Sequence, residues 1–381
     1  MKKTKYDKVQ DFLLFFIKPL VFPWMYKDAK RIVNANGFNF KRKDPYLMLA
    51  NHKFLFDVVH VPLKQKKNPF IVASEELFVR QPTKFLFKWV AHIIPKSKGA
   101  SDLRTAKGII GAIKRGYPVL IFPEGDTTFY GETKNIEYST MKLIKKLKVD
   151  VVTCNVKGGY LSKPRWAEGK RKKRFVELNY NETIKKDDLA KMSLDEIYDI
   201  ISKALYNNDY EYQREHMIKH PGFELAKGLE NILYICPECD SVNSLETAGN
   251  FIRCNHCKTE GKINEYGFIE GFKFDNTIDW DDYQRTKKEL LLKSEINSTG
   301  DLYFIRFEDS VKELEGKVNI KYKDMNYYIS GAYEEVIPVD EVTKQMISLR
   351  RDFTFIYNGK YYHFKLDKYA SSLLRVTQDK Y

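Results

Sequence analysis

The residues with the clearest chemical potential fall in three groups along the 381-residue chain. In the first, His52 precedes Asp57 by five positions, in the run Asn51-His-Lys-Phe-Leu-Phe-Asp57. On one continuous helix, five steps of about 100° each would leave the two side chains about 140° apart, unable to meet. A loop turning into a helix brings them together: Asp57 in the first helical turn holds one imidazole nitrogen, and the other is left to take a proton. The run contains no serine or cysteine, so such a pair would activate an external nucleophile. The spacing alone also suits a histidine satisfied inside a core.

The second group is Val119-Leu-Ile-Phe-Pro-Glu124-Gly125-Asp126-Thr127-Thr128, an apolar strand running into a loop with carboxylates, a glycine and hydroxyls. Gly125 allows close backbone approach, and Glu124 could orient a substrate hydroxyl or the loop itself. Before it, Lys96 and Lys98, in Ile93-Ile-Pro-Lys-Ser-Lys98, suit a solvated loop.

The third group is Cys236-Pro-Glu-Cys239 and Cys254-Asn-His-Cys257, with 14 residues between the pairs. Two such knuckles present four thiolates, which close a tetrahedral zinc site and leave no open position for substrate. His256 sits inside the second knuckle and is expected to face solvent. The fifth cysteine, Cys154, lies mid-strand and reads as a core thiol.

Positioning these groups requires strands that end beside one another. Tyr46–Ala50, Phe70–Ala73, Val119–Phe122 and Val151–Val156 read as buried strands, with helices between them from Leu103 to Arg115 and from Met141 to Lys148. This alternation predicts an α/β fold with a mostly parallel sheet flanked by helices, and chemistry on loops at the carboxyl ends of the strands. A helical zone follows from Asp187 to His220, ended by Pro221-Gly222. After the cysteines, a helical stretch near Asp279 to Leu292 leads into alternating aromatic and polar residues that predict a small β-rich domain, with Asn358-Gly359 as a hairpin turn. The expected divisions are an interfacial segment at 1–30, the α/β domain at 31–225, a zinc ribbon at 229–262 and the β-rich domain at 263–381.

Charge is unevenly placed. Residues 1–235 hold 44 basic against 26 acidic side chains, and residues 236–381 hold 21 against 25. The first part is therefore the one drawn to anions. Its basic run from Lys163 to Arg174 suits anionic headgroups, the phosphates of a coenzyme or an acidic carrier protein, or else a solvated loop. No apolar run reaches the ~18 residues of a spanning helix. The nearest, Phe12 to Tyr26, is interrupted by Lys18, Pro19 and Pro23 and follows four lysines. Such a segment suits the headgroup region of a membrane, or an amphipathic helix packed on its own domain.

Taken together, in this order and about 70 residues apart, the first two groups resemble the glycerophospholipid acyltransferases, specifically the 1-acylglycerol-3-phosphate acyltransferase family. Asn51, His52 and Asp57 match that family's Asn-His-x4-Asp motif, and Phe122 to Gly125 match its Phe-Pro-Glu-Gly motif. The likeness spans about residues 10 to 215. It implies acyl transfer from acyl-CoA or acyl carrier protein to the free hydroxyl of a lysophospholipid, on the cytoplasmic face of a membrane. His52 would be the general base, Asp57 its orienting partner, and Glu124 with Gly125 part of the acceptor site. Two positions depart from the pattern. The family's arginine after Glu-Gly is Thr127 here, and the arginine of its second motif is Lys96, which attracts phosphate but lacks the bidentate fork. Lysophosphatidate as acceptor is thereby placed in question. The rival reading is a non-catalytic membrane or nucleic-acid adaptor built on a degenerate acyltransferase fold with a zinc ribbon. The slightly acidic ribbon half lacks the basic face that nucleic-acid binding requires.

Overall fold

Short apolar runs with both faces buried become the strands of the first half. The computed structural model describes residues 2–75, 91–96, 103–172, 174–307, 311–348 and 350–377. It divides into two compact units, 1–163 with 173–218, and 164–172 with 219–381.

In the first unit the strands are β1 (Ala29–Asn34), β2 (Leu47–Ala50), β3 (Phe70–Ser74), β4 (Ile93–Lys96), β5 (Val119–Ile121), β6 (Val151–Lys157) and β8 (Arg174–Ile184). The two-residue β7 (Lys170–Arg171) belongs to the second unit. Among the described residues, these strands form a seven-stranded sheet in the order β1-β8-β6-β2-β5-β3-β4. The five from β6 to β4 run parallel, while β8 is antiparallel to β6 and carries β1 alongside it. All five parallel strands therefore end on one edge, and His52, Glu124 and Lys96 lie at or just beyond that edge.

The helices are α1 (Lys5–Asp28), α2 (Asp57–His60), α3 (Leu103–Lys114), α4 (Ser139–Leu147), α5 (Gly159–Ser162), α6 (Lys186–Leu189), α7 (Leu194–Leu205) and α8 (Asp209–His216). Alternate residues of β2 enter two cores. Leu47 and Leu49 pack with Ile109, Met141, Ile144 and Ile201 from α3, α4 and α7. Met48 and Ala50 pack with Phe54, Val61, Phe122 and Cys154 on the other face. Each such aliphatic side chain contributes about 1.5–3 kcal/mol of burial. Cys154 is sealed in this second core, and burial holds its thiol well above the usual range.

The expected single helical zone after residue 187 is broken into three. Ser193 caps α7 through a reciprocal pair of hydrogen bonds with Glu196, and the Asn208 side chain caps α8. Each cap satisfies free N–H groups at the start of its own helix, so the zone restarts at α7 and again at α8.

The second unit begins with the strand pair β7 and β9 (Gly222–Phe223). Next comes a four-stranded antiparallel sheet of β10 (Leu245–Ala248), β11 (Phe251–Cys254), β12 (Glu260–Ile263) and β13 (Ile269–Glu270). Helix α9 (Thr277–Thr286) braces this part: Trp280 is fully buried, and its indole N–H donates to the Ile235 carbonyl at 2.8 Å. The remainder is a second seven-stranded sheet, antiparallel throughout, formed by residues 296–366 and closed by a short helix, Ala370–Arg375. Tyr357 pairs with Lys360 across Asn358 and Gly359, both at positive φ, so the expected hairpin is present.

Candidate active site and candidate metal centre

His52 lies in the loop after β2, and Asp57 opens α2. The fully buried Asp57 carboxylate accepts, through Oδ2, from His52 Nδ1 at 3.1 Å and from the backbone N–H groups of Lys53 (2.6 Å) and Phe54 (3.0 Å). Three donors on one oxygen fix both the carboxylate and the loop that carries the histidine. The imidazole stacks on Phe122 at a ring separation of 4.3 Å, and its side chain keeps 14% exposure. Nδ1 is occupied, so Nε2 is the nitrogen able to take a proton from a bound molecule.

The loop after β5 is laced to this one. Glu124 Oε1 accepts the His52 backbone N–H at 2.7 Å, Glu124 Oε2 accepts the Lys134 N–H at 3.3 Å, and the Thr128 N–H donates to the His52 carbonyl at 3.0 Å. Of the two roles open to Glu124 from sequence, its hydrogen bonds show the loop-orienting one. Burial raises its carboxyl above the usual range, opposed by the Lys53 charge and the His52 N–H. Gly125 sits at φ +78°, where a side chain is strained, and a Cβ there would lie 3.5 Å from Glu137.

Lys96, at the end of β4, lies 3.0 Å from both carboxylate oxygens of Glu137, so its charge is paired beside the Gly125 turn. Thr127 is part-buried, and its backbone N–H donates to Asp126 at 2.9 Å. Lys98 lies outside the described residues. Neither Glu137 nor the buried Lys53 carries a sequence signal, because a lone charge beside a motif looks like solvated surface. His60, on α2, is fully enclosed and held down to about 3 by burial and by Arg31 and Arg174, so it stays neutral and cannot exchange protons with a substrate.

Residues 32–157 match the family model described as Acyltransferase. This part of the chain is an acyltransferase-family domain. Among solved structures, the crystal structure of the 1-acyl-sn-glycerophosphate (LPA) acyltransferase, PlsC, from Thermotoga maritima aligns over 54% of this chain and 86% of that one, at 18% identity and a TM-score of 0.40. At that score the likeness carries no weight for site or substrate. No curated protein matches the chain. The acyltransferase match contains His52, Asp57, Lys96, Glu124, Gly125 and Thr127, and ends within β6.

Helix α1 lies ahead of the matched acyltransferase residues, and several of its polar side chains turn inward. Asp7 pairs with Arg115 at 2.9 Å, and Asp11 with His92 at 3.0 Å and the Tyr117 hydroxyl at 2.6 Å. Lys18 donates to Asn68 Oδ1 at 3.0 Å and to the Gln65 carbonyl, and burial lowers its ammonium to about 8. The outward face instead shows Phe12, Phe15 (72% exposed), Phe16, Leu20 (75%) and Trp24. Pro19 and Pro23, expected to interrupt the segment, sit within the helix on its exposed side. Among the described residues, no helix is long and apolar enough to cross a membrane.

The basic run divides between the units. Lys163 caps the Phe56 ring at 4.4 Å in the first. In the second, Arg171 lies over Trp166 at 5.4 Å, Lys172 over Phe223 at 4.3 Å, and Arg165 donates to the Ile347 carbonyl at 2.6 Å. These cations are spent on packing within the units.

In the second unit Cys236, Cys239, Cys254 and Cys257 bring their sulfurs within 4.8 Å of one another. The Cys236–Cys257 and Cys239–Cys254 sulfurs are each 3.8 Å apart. That excludes disulfides, and it equals the edge, about 3.8 Å, of a tetrahedron with metal–sulfur bonds of about 2.3 Å. Each knuckle turns through a residue at positive φ, Asp240 or Lys258, whose N–H donates back to Cys236 or Cys254. His256 is exposed and outside the cluster.

Proposed function

We propose that the chain is a glycerophospholipid O-acyltransferase working at a membrane surface, with acyl-CoA or acyl carrier protein as donor and a lysophospholipid as acceptor. The observation that carries this reading is the 3.1 Å contact of His52 Nδ1 with the buried Asp57 carboxylate, inside a matched acyltransferase domain. His52 Nε2 takes the proton from the acceptor hydroxyl as its oxygen attacks the thioester carbonyl. The C–O bond forms, the C–S bond breaks, and the imidazolium returns its proton to the leaving thiolate. General-base assistance of this kind is worth ~10² to 10⁴-fold. Asp57 keeps the ring in the right tautomer and favours the imidazolium as it forms. Glu124 fixes the loop, Gly125 gives the acceptor close approach, and Thr127 with Lys96 borders the headgroup.

The reversed amphipathicity of α1 supports the membrane half of this reading. Polar contacts dock the helix on its domain, while its aromatic and leucine side chains are left for the acyl boundary of the cytoplasmic leaflet, beside Lys2, Lys5 and Lys8. The four cysteines suit a structural Zn2+ that holds the ribbon together and has no part in the reaction.

Thioester consumption with a panel of lysolipids, comparing wild type with His52→Ala, tests the assignment. Wild-type turnover lost in the variant supports it. A wild type that turns over no acceptor, or a variant as active as wild type, rejects it.

A further inference from the structure

The residue after the histidine is a lysine with no exposed surface, and the acyl-transfer steps use neither it nor its partner. Lys53 Nζ donates to the carbonyls of Asn207 at 2.8 Å and Gly131 at 3.2 Å, and stands 3.8 Å from Asp209 Oδ2. Asp209 is equally buried, and its other oxygen accepts the Gly158 N–H. Burial lifts Asp209 to about 6, with the Lys53 charge pulling it down.

A buried pair of this kind adds little net stability over an apolar pair of the same volume. Its placement gives it another use. The Lys53 backbone N–H holds the Asp57 carboxylate, while its ammonium holds the Gly131 carbonyl. The Gly131 N–H donates to Thr128 Oγ1 at 3.1 Å, and the Thr128 N–H donates to the His52 carbonyl. One side chain thus ties the histidine loop to the turn that follows Glu124 and to the segment before α8. Glu124 faces Lys53, His52 and the Lys134 N–H. Asp209 faces Lys53, Asp57, the Gly158 N–H and the Asn207 amide.

Resting on the acyl-transfer reading, we propose that Lys53 and Asp209 are a positioning pair, in which the lysine clamps the His52 loop to the turn after Glu124 and so holds the His52 N–H against the Glu124 carboxylate. Removing the ammonium leaves the part-buried Glu124 without the Lys53 charge. Removing the Asp209 carboxylate leaves the cation uncompensated, so Glu124 is held ionised more strongly. A role in stability alone would not move Glu124 in opposite directions.

The test compares wild type, Lys53→Met, Asp209→Asn and the double variant. Three quantities are measured: the Glu124 carboxyl titration by 13C NMR (assigned with Glu124→Gln), thermal stability, and kcat and KM against pH. Lys53→Met is expected to move the Glu124 midpoint and the acid limb of kcat up by about one pH unit, and Asp209→Asn to move both down. The double variant is expected to recover thermal stability while kcat stays about 10- to 100-fold low, with KM within about threefold of wild type. If Lys53→Met does not fold, Asp209→Asn and the double variant still give the comparison. Midpoints that stay put or move the same way, or kcat recovering together with stability, would overturn the proposal. A wild type without turnover would reject acyl transfer, and the Glu124 titration would still decide the pair.

Discussion

Asp57 Oδ2 receives His52 Nδ1 and two backbone N–H groups of the same loop, so the carboxylate that orients the imidazole also builds the loop that presents it. Replacing Asp57 with Asn puts an amide where three donors converge. The expected result is a kcat about 10² to 10⁴-fold lower with KM little changed, measured by thioester release under saturating acceptor. A kcat within twofold of wild type would remove Asp57 from the proton-handling pair.

The Lys96–Glu137 pair beside Gly125 leads to a prediction about headgroups. Both partners are partly exposed, so the pair is worth about 0.2–1 kcal/mol. Glu137→Gln frees the ammonium, and KM for acceptors carrying a phosphomonoester should fall roughly 1.5- to 5-fold, with no change for uncharged acceptors. Equal changes for both classes would show that Lys96 does not meet the headgroup.

On α1, Phe15→Ser and Leu20→Ser should leave folding untouched, since both side chains are already exposed. Each removes about 1.5–3 kcal/mol of apolar burial in a bilayer, so sedimentation with vesicles containing anionic lipid should fall by at least tenfold. Lys18→Ala should do the reverse, lowering thermal stability by about 1–3 kcal/mol because it strips donors from buried carbonyls. Vesicle binding unaffected by the double variant Phe15→Ser, Leu20→Ser would argue against this face.

For the cysteine cluster, elemental analysis of the purified protein should return about one zinc per chain, and Cys254→Ser should lose it. Metal binding supplies folding free energy in small four-cysteine sites, so chelation should unfold the region around 236–263 first. The loss should appear as increased tryptophan exposure, because Trp280 anchors to the Ile235 carbonyl beside Cys236. A metal-free protein with unchanged fluorescence would overturn the assignment.

Periodicity alone was enough to read the β2, β5 and β6 runs, since strands buried on both faces are continuous apolar stretches, and the Asn358-Gly359 turn announces itself by its need for positive φ. The His52–Asp57 geometry followed from the same kind of reasoning, because only a loop-to-helix turn lets residues five apart meet. Lys53 and Asp209 were illegible for one shared reason. Their burial is decided by segments 51 to 156 positions away, and no local pattern reports it. Glu137 is exposed, and its pairing with Lys96 was hidden because the two lie 41 positions apart. The inward polar face of α1 was hidden likewise: Asp7, Asp11 and Lys18 find partners at 92, 115 and 117 and at 65 and 68, so the sequence shows an apolar segment with stray charges where the structure has a docking face.

Residues 164–172 leave the first unit, pair Lys170 with Phe223 and Arg171 with Gly222, and bury Trp166 before the chain returns at Arg174. During synthesis this nine-residue excursion emerges well before the strand that completes it. No single cut can therefore free the acyltransferase domain cleanly: a stop at residue 218 would strand a tryptophan and its cationic neighbours without their cover. The two units are threaded as one inheritance, and shuffling them apart calls for two seams in the gene.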